Sequence, residues 1–304
     1  MSTQPAAIEP QNQMAIRDAL AWAARQFSPH ITDTPRLDAE LLLAYAMGCD
    51  RTRLHTYPEQ ILSSEQRRNF EFSTRQHAQG EPIAYILGSQ EFFGLEFFVD
   101  QRVLIPRPET ELLVEEAIAW IQMRETRGEH LVAADVGTGS GAIAVSLAVT
   151  SPRLTLYAID SSPFVLQIAT YNARRHGVAD RVKLRYGDLL DSLPEPVHLI
   201  VANLPYVSEA EMAQLPPHIA RFEPHQALYG GPDGMAVIER LLAQARPYLQ
   251  PEGIILLEIG AEQGELALAR ARHHFPAAHV QVRQDYAARD RLLVIQTLSN
   301  PPTA

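Results

Sequence analysis

The chain has 304 residues with 46% hydrophobic and 20% charged, enough for two globular domains with ordinary cores. Its formal charge of −10 argues against a general nucleic-acid binder, which carries a basic face. One cysteine, Cys49, excludes an intrachain disulfide, fits a reducing compartment and reads as small core filler at a helix end.

Residues 1–12 are polar and expected to fray, without the charged start and apolar stretch of a signal peptide. No apolar run approaches the ~20 residues that cross a bilayer, so a cytoplasmic protein is expected. From Met14 to Phe27, Ile16, Ala19, Leu20, Ala23 and Phe27 recur at helical spacing, and Ser28-Pro29 closes the helix. Arg36–Met47 is a second helix with Gly48 just past its end, and Arg51–Tyr57 a short third. Ser64–Gln79 is a fourth, opened by a Ser cap with Glu65 in its first turn and stopped by Gly80. Residues 1–81 therefore read as a helical bundle without a catalytic constellation. His30, His55 and His77 are scattered through it as surface or satisfied histidines.

From Pro82 the texture changes to an aromatic stretch, Ile83–Gly88 and then Glu91–Val99 with Gly94 near its middle. That is a hairpin signal, and the domain junction is expected here, with residues 82–107 as a linker. Phe92, Phe93, Phe97 and Phe98 read as buried aromatics rather than a partner surface. An extended arm through Ile105 leads into a helix from Pro108, about Glu109 to Arg127. Strands are then expected at 131–136, 154–159, 181–186, 197–202, 253–259, 278–284 and 291–297, with helices at 140–149, 163–176, 234–249 and 263–274. This alternation implies an α/β domain over 108–304 with a mostly parallel seven-stranded sheet. The last two strands leave no room for a helix between them, so one of them runs antiparallel.

Three strand ends carry the chemistry. Asp135-Val136-Gly137-Thr138-Gly139-Ser140-Gly141 turns the first sheet strand into a helix whose N-terminus offers free N–H groups. Asp160 ends the next strand, placed to accept the hydroxyls of a ribose, each such bond contributing roughly 1.5–3 kcal/mol. Gly137, Gly139 and Ala142 also fit the weakly specific dinucleotide pattern, which leaves NAD open as a rival cofactor. Asp188, with Leu189 beside it, ends the third strand and suits an adenine amino group, or is a surface turn acid. Asn203-Leu204-Pro205-Tyr206 leaves the fourth strand. Its amide pairs an acceptor with a donor, Pro205 stiffens the chain, and Tyr206 offers a flat ring, a set suited to gripping a planar amide or amine. An ordinary strand-ending Asn-x-Pro turn is the bland alternative. No metal-ligand spacing is present, since His273 and His274 are adjacent and fall on different helix faces, as surface residues.

The order Gly137–Gly141, Asp160, Asp188, Asn203–Tyr206 resembles class I S-adenosylmethionine-dependent methyltransferases of the Asn-Pro-Pro-Tyr type. The segments 82–117 (PIAYILGSQEFFGLEFFVDQRVLIPRPETELLVEEA), 134–148 (ADVGTGSGAIAVSLA), 223–235 (EPHQALYGGPDGM) and 285–294 (DYAARDRLLV) resemble the PrmC/HemK family in particular. The likeness runs over about 36–297 and rests most specifically on Arg107-Pro108-Glu109-Thr110-Glu111 and the Gly-Gly-Pro-Asp-Gly text. It implies a Rossmann-like class I domain behind a helical substrate-recognition domain and a hairpin linker. It also implies a cytoplasmic monomer that methylates the N5 amide of the glutamine in the Gly-Gly-Gln loop of class I release factors.

By that resemblance Gly137, Thr138, Gly139, Ser140 and Gly141 lie along the methionine part of S-adenosylmethionine. Asp160 takes the ribose, Asp188 and Leu189 border the adenine, and Asn203 touches the cofactor as well as the target. Asn203 and Tyr206 are the implied catalytic residues, with Leu204 and Pro205 completing the substrate loop. Leu204 departs from the family's usual Pro: it keeps the backbone carbonyl and gives up φ rigidity, so retuned loop geometry is expected. The rivals weighed are a ribosomal-protein glutamine methyltransferase, an adenine-N6 nucleic-acid methyltransferase and a non-catalytic module that docks a translation factor.

Overall fold

A computed structural model of the protein describes residues 13–298, so the fraying expected of residues 1–12 lies outside it. The chain divides into two compact units between Leu87 and Gly88.

The first unit is helical: α1 (Ile16–Ala24), α2 (Pro35–Met47), α3 (Arg51–Thr56), α4 (Ser64–Ala78) and α5 (Ile83–Leu87). The apolar stripes meet in a core of Ile16, Leu20, Leu42, Leu43, Leu54 and Phe70, each about 1% exposed or less. The cap of α4 is Ser63, one residue earlier than its first helical residue: its hydroxyl accepts from Gln66 N while the Gln66 side chain answers Ser63 N, a capping box. His77 is a buried, satisfied histidine. Its Nε2 lies 3.1 Å from Asp38 of α2, its Nδ1 2.9 Å from the Glu81 carbonyl, and its ring edge-on to Phe27. His30 and His55 are exposed, the latter beside Glu40. Cys49 is half-buried at the rim of the core, just past α2.

Residues 83–87 correct the hairpin reading, for they form a helix. Tyr85 and Ile86 N–H bond back to the Pro82 carbonyl, and Ile83, Ile86 and Leu87 pack on the first unit's core, which moves the boundary from 82 to 87. The hairpin is shorter, β1 (Ser89–Phe92) against β2 (Leu95–Phe98), and clusters with the second unit instead of standing as a separate linker. Its two turn residues, Phe93 and Gly94, both have positive φ (52° and 71°), as a two-residue hairpin turn requires. Phe92 and Phe97 are buried, and Phe93 and Phe98 are half-buried.

After the arm, a single 3-10 turn (Pro108–Thr110) precedes α6 (Glu111–Glu125). Then follow β3 (Val132–Val136), α7 (Ala142–Thr150), β4 (Thr155–Asp160), α8 (Pro163–Arg175), β5 (Val182–Tyr186), β6 (Val197–Ala202), α9 (Glu209–Met212), α10 (Pro217–Phe222), α11 (Ala236–Ala245), β7 (Leu249–Glu258), α12 (Gly264–His274), β8 (His279–Gln284) and β9 (Asp290–Gln296). The strands lie in the order β5-β4-β3-β6-β7-β9-β8. Those from β3 to β7 run parallel, and β9 runs antiparallel to both its neighbours. The expected helix at 234–249 is interrupted: Pro247 ends α11 in a 3-10 turn, and β7 starts at Leu249 rather than 253 with a register shift against β6. The chain winds outward from β3 through β4 to β5 and returns on its other side at β6. The carboxyl ends of β3 and β6 therefore flank a topological switch point, where open α/β sheets bind ligands.

Candidate active site

The turn from β3 to α7 holds its shape through glycines. Gly137 and Gly139 have φ of 72° and 56°, and the N–H groups of Gly137 and Thr138 both reach the Ile159 carbonyl of β4 at 2.9 Å. A Cβ on Gly137 would stand 3.0 Å from the Leu204 side chain, so the turn and the Asn203 loop touch here. Gly141 serves packing instead. It is absent from the cavity lining, and a Cβ there would press on Ala169 of α8 at 3.3 Å. Beneath the turn Asp135 is wholly buried; Thr138 Oγ1 donates to its Oδ2 at 2.6 Å and Ala144 N at 3.2 Å, while Oδ1 has no partner. Burial pushes this carboxyl up to about 7 against those two bonds.

Asp160, the last residue of β4, is fixed in plane by two backbone donors, Gly139 N to Oδ2 (3.1 Å) and Ser162 N to Oδ1 (3.0 Å). Each oxygen keeps a lone pair for a ligand. Burial raises this carboxyl, and the backbone bonds oppose the shift. Asp188 and Leu189 follow β5. Leu189 is buried with φ 53°, while Asp188 is half exposed and paired with Arg240 of α11. The acid expected to take an adenine amino group therefore already has a cationic partner at the cavity wall.

Asn203 follows β6. Its Nδ2 donates to Thr110 Oγ1 at 3.0 Å; Thr110 Oγ1 donates to Glu258 Oε2 at 2.6 Å; and the Tyr206 hydroxyl donates to Glu258 Oε1 at 3.1 Å. Glu258 is buried at the end of β7, beside Asn203 because the β6–β7 register pairs Ala202 with Leu257. Burial raises the Glu258 carboxyl, opposed by the two hydroxyls and by Arg291. Burial and the Glu258 charge likewise push the Tyr206 hydroxyl well up. The loop's backbone is clasped from behind: Gln263 Nε2 donates to the Tyr206 carbonyl at 2.8 Å, and Val207 bonds to Leu228 and Gly230. Any Cβ on Gly234 would fall 2.1 Å from that same carbonyl, so this segment must be glycine to approach so closely. Arg107 of the arm pairs with the buried Glu223.

Gly137, Thr138, Gly139, Ser140, Asp160, Asp188, Leu189, Asn203, Leu204 and Pro205 line one cavity of about 400 Å³, together with Arg107, Thr110 and Arg240. Tyr206 is outside the lining, its hydroxyl turned to Glu258. Among the described residues no group of three or more His, Cys, Asp or Glu is arranged to hold a metal ion. His273 and His274 are not both plain surface residues: their rings meet edge-on at 5.1 Å, and His274 Nε2 lies 2.8 Å from Glu239. Thr110 and Glu258 escaped the sequence reading. The one signal for Glu258 was an acid inside the apolar run Gly253-Ile-Ile-Leu-Leu-Glu-Ile259, where a solvated role is excluded.

The lining fits S-adenosylmethionine: a carboxylate at the second strand end for a ribose, bare glycine backbone at Gly137 and Gly139, and an apolar ledge at Leu189. Sheet order and strand-end chemistry together define a class I S-adenosylmethionine-dependent methyltransferase. Residues 18–88 match the family described as PrmC N-terminal domain, and residues 128–293 the family described as methyltransferase domain. A release factor glutamine methyltransferase of Koribacter versatilis is 44% identical over 81% of this chain and 87% of its own. One of Moorella thermoacetica is 42% identical over 91% of this chain and 97% of its own. The chain belongs to the release factor glutamine methyltransferase family. The solved hMettl16 catalytic domain, in complex with an RNA hairpin, shares the fold alone, at 15% identity and TM-score 0.52 over 81% of this chain and 87% of that one.

Proposed function

We propose that this enzyme transfers the methyl group of S-adenosylmethionine to the N5 side-chain amide of the glutamine in the Gly-Gly-Gln motif of class I release factors, acting as a cytoplasmic monomer. The observation that carries this reading is the Asn203 amide, whose Nδ2 is committed to Thr110 and whose Oδ1 is thereby left to the cavity as an acceptor.

An amide nitrogen is a weak nucleophile because its lone pair is shared with the carbonyl. When bound, S-adenosylmethionine supplies an already activated sulfonium methyl, so the protein's task is alignment. Gly137–Ser140 and Asp160 hold the cofactor, with Asp188, Leu189 and Arg240 at the adenine side. Asn203 Oδ1 and the Leu204 carbonyl accept the two N–H bonds of the target amide, which directs the nitrogen face inward and spreads the positive charge that develops there. Orientation of two bound reactants removes about 7–11 kcal/mol of barrier. Tyr206, outside the cavity lining with its hydroxyl on Glu258, anchors the end of the substrate loop. After transfer the proton leaves to water. The helical unit serves recognition of the protein substrate, and nucleic acid has no part in the reaction.

The test is radiolabelled methyl transfer from S-adenosylmethionine to a purified class I release factor, run beside a substrate whose loop glutamine is replaced. Label is expected on the first and not on the second. Asn203→Ala is expected to lose transfer while keeping cofactor affinity. Retention of more than about a tenth of the rate, under ~1.4 kcal/mol, would remove Asn203 from the acceptor role.

A further inference from the structure

We infer that Thr110 and Glu258 are positioning residues of this site, a hydroxyl–carboxylate relay that fixes which end of the Asn203 amide faces the substrate. The inference rests on the acceptor role proposed for Asn203.

The relay has a direction. Each Glu258 oxygen receives a hydroxyl, Thr110 on Oε2 and Tyr206 on Oε1, the arrangement of a carboxylate that only accepts. Thr110 has one proton, and it is spent on Glu258, so toward Asn203 its oxygen can only accept. The amide must then turn its NH2 end to Thr110 and its oxygen to the cavity. Without the relay the amide could turn over and present a donor, which repels the N–H bonds it is meant to receive. The same carboxylate anchors the Tyr206 hydroxyl, so both ends of the Asn203–Tyr206 loop are referred to one fixed group.

A purely structural role fits less well. The residues around Glu258 on β7 and beyond it, Leu256, Leu257 and Ile259, are buried and apolar, and an apolar side chain would fill the position without the desolvation of a charge. The relay also gives the Arg107–Thr110 arm its function. The arm precedes the sheet in the chain, yet it delivers a hydroxyl to the end of the fourth sheet strand, 93 residues on.

The test compares Thr110→Val, which keeps shape and removes the hydroxyl, with Thr110→Ser, which restores it, in methyl transfer to a purified class I release factor. Thr110→Val is expected to lower kcat about 100-fold with release-factor KM and cofactor Kd within about twofold, the signature of a misaligned group. Thr110→Ser is expected to recover most of that loss, which a packing defect at this buried position would not allow. Glu258→Gln, which turns one acceptor into a donor, is expected to lower kcat likewise. A Thr110→Val enzyme within about threefold of wild type, or Thr110→Ser falling as far as Thr110→Val, overturns the relay. Asn203→Ala run alongside separates the two ideas. If it is inactive while Thr110→Val is active, only the relay fails; if it keeps its rate, the acceptor role of Asn203 fails and takes the relay with it.

Discussion

Asp135 lies beneath the glycine turn with one oxygen bonded twice and the other unpartnered. Its carboxyl is raised from an ordinary 3.8 to about 7, so between those values the folded protein holds a proton that the unfolded chain has released. Stability therefore falls as pH rises through that window, by about 3 kcal/mol between about pH 5 and pH 8. Asp135→Asn keeps the shape without the charge, so its stability relative to wild type should rise by that amount over the same range. Denaturant titration of both proteins at the two pH values checks this, and a gap that does not change with pH would show that Asp135 is not the group responsible. Leu204 bears on the same turn. From the sequence, leucine in place of proline meant lost rigidity. In the fold its side chain is buried against Gly137, so packing holds a loop that a proline ring would otherwise have stiffened.

Among the elements, α2 and α4 are joined by the buried Asp38–His77 bond. His77→Ala leaves the buried Asp38 carboxylate with the Thr34 hydroxyl as its remaining side-chain partner and is expected to destabilise the helical unit by about 3 kcal/mol. Urea unfolding followed by helical signal measures it, and a loss under about 1 kcal/mol would mean that water reaches Asp38. The seven sheet strands were legible to within a few residues because buried parallel strands read as short apolar runs between turn residues. The elements that were missed are short and owe their form to neighbours. The five-residue α5 reads as strand by composition and is helical because its apolar face completes the first core. Helices α9 and α10 bury no residue, so no periodicity marks them. The site divides along the same line. Gly137, Asp160 and Asn203 sit at strand ends, where spacing alone locates them. Thr110, Glu258 and the Arg240 partner of Asp188 act across 93, 52 and 52 residues of sequence, and only folding shows those meetings.

For the whole molecule, the two units have separate cores, and every residue lining the cavity belongs to the second. Calorimetry is therefore expected to show two thermal transitions, of which saturating S-adenosylmethionine moves only one, by about 2.7 kcal/mol at a hundredfold excess over Kd. A single transition that shifts as a whole would mean the units unfold as one. The net charge of −10 sets solubility and encounter with partners and has no say in the fold.

The placement of β9 between β7 and β8 also governs how the sheet can be made. Synthesis delivers β7 and β8 first, but they never touch as sheet neighbours: the slot between them waits for a strand the ribosome has not yet exposed. Until β9 enters, β8 has nothing to pair with and the inner edge of β7, which ends in Glu258, lies open along five consecutive residues. The carboxylate that accepts from Thr110 and Tyr206 is thus enclosed only once β9 has taken its place beside β7.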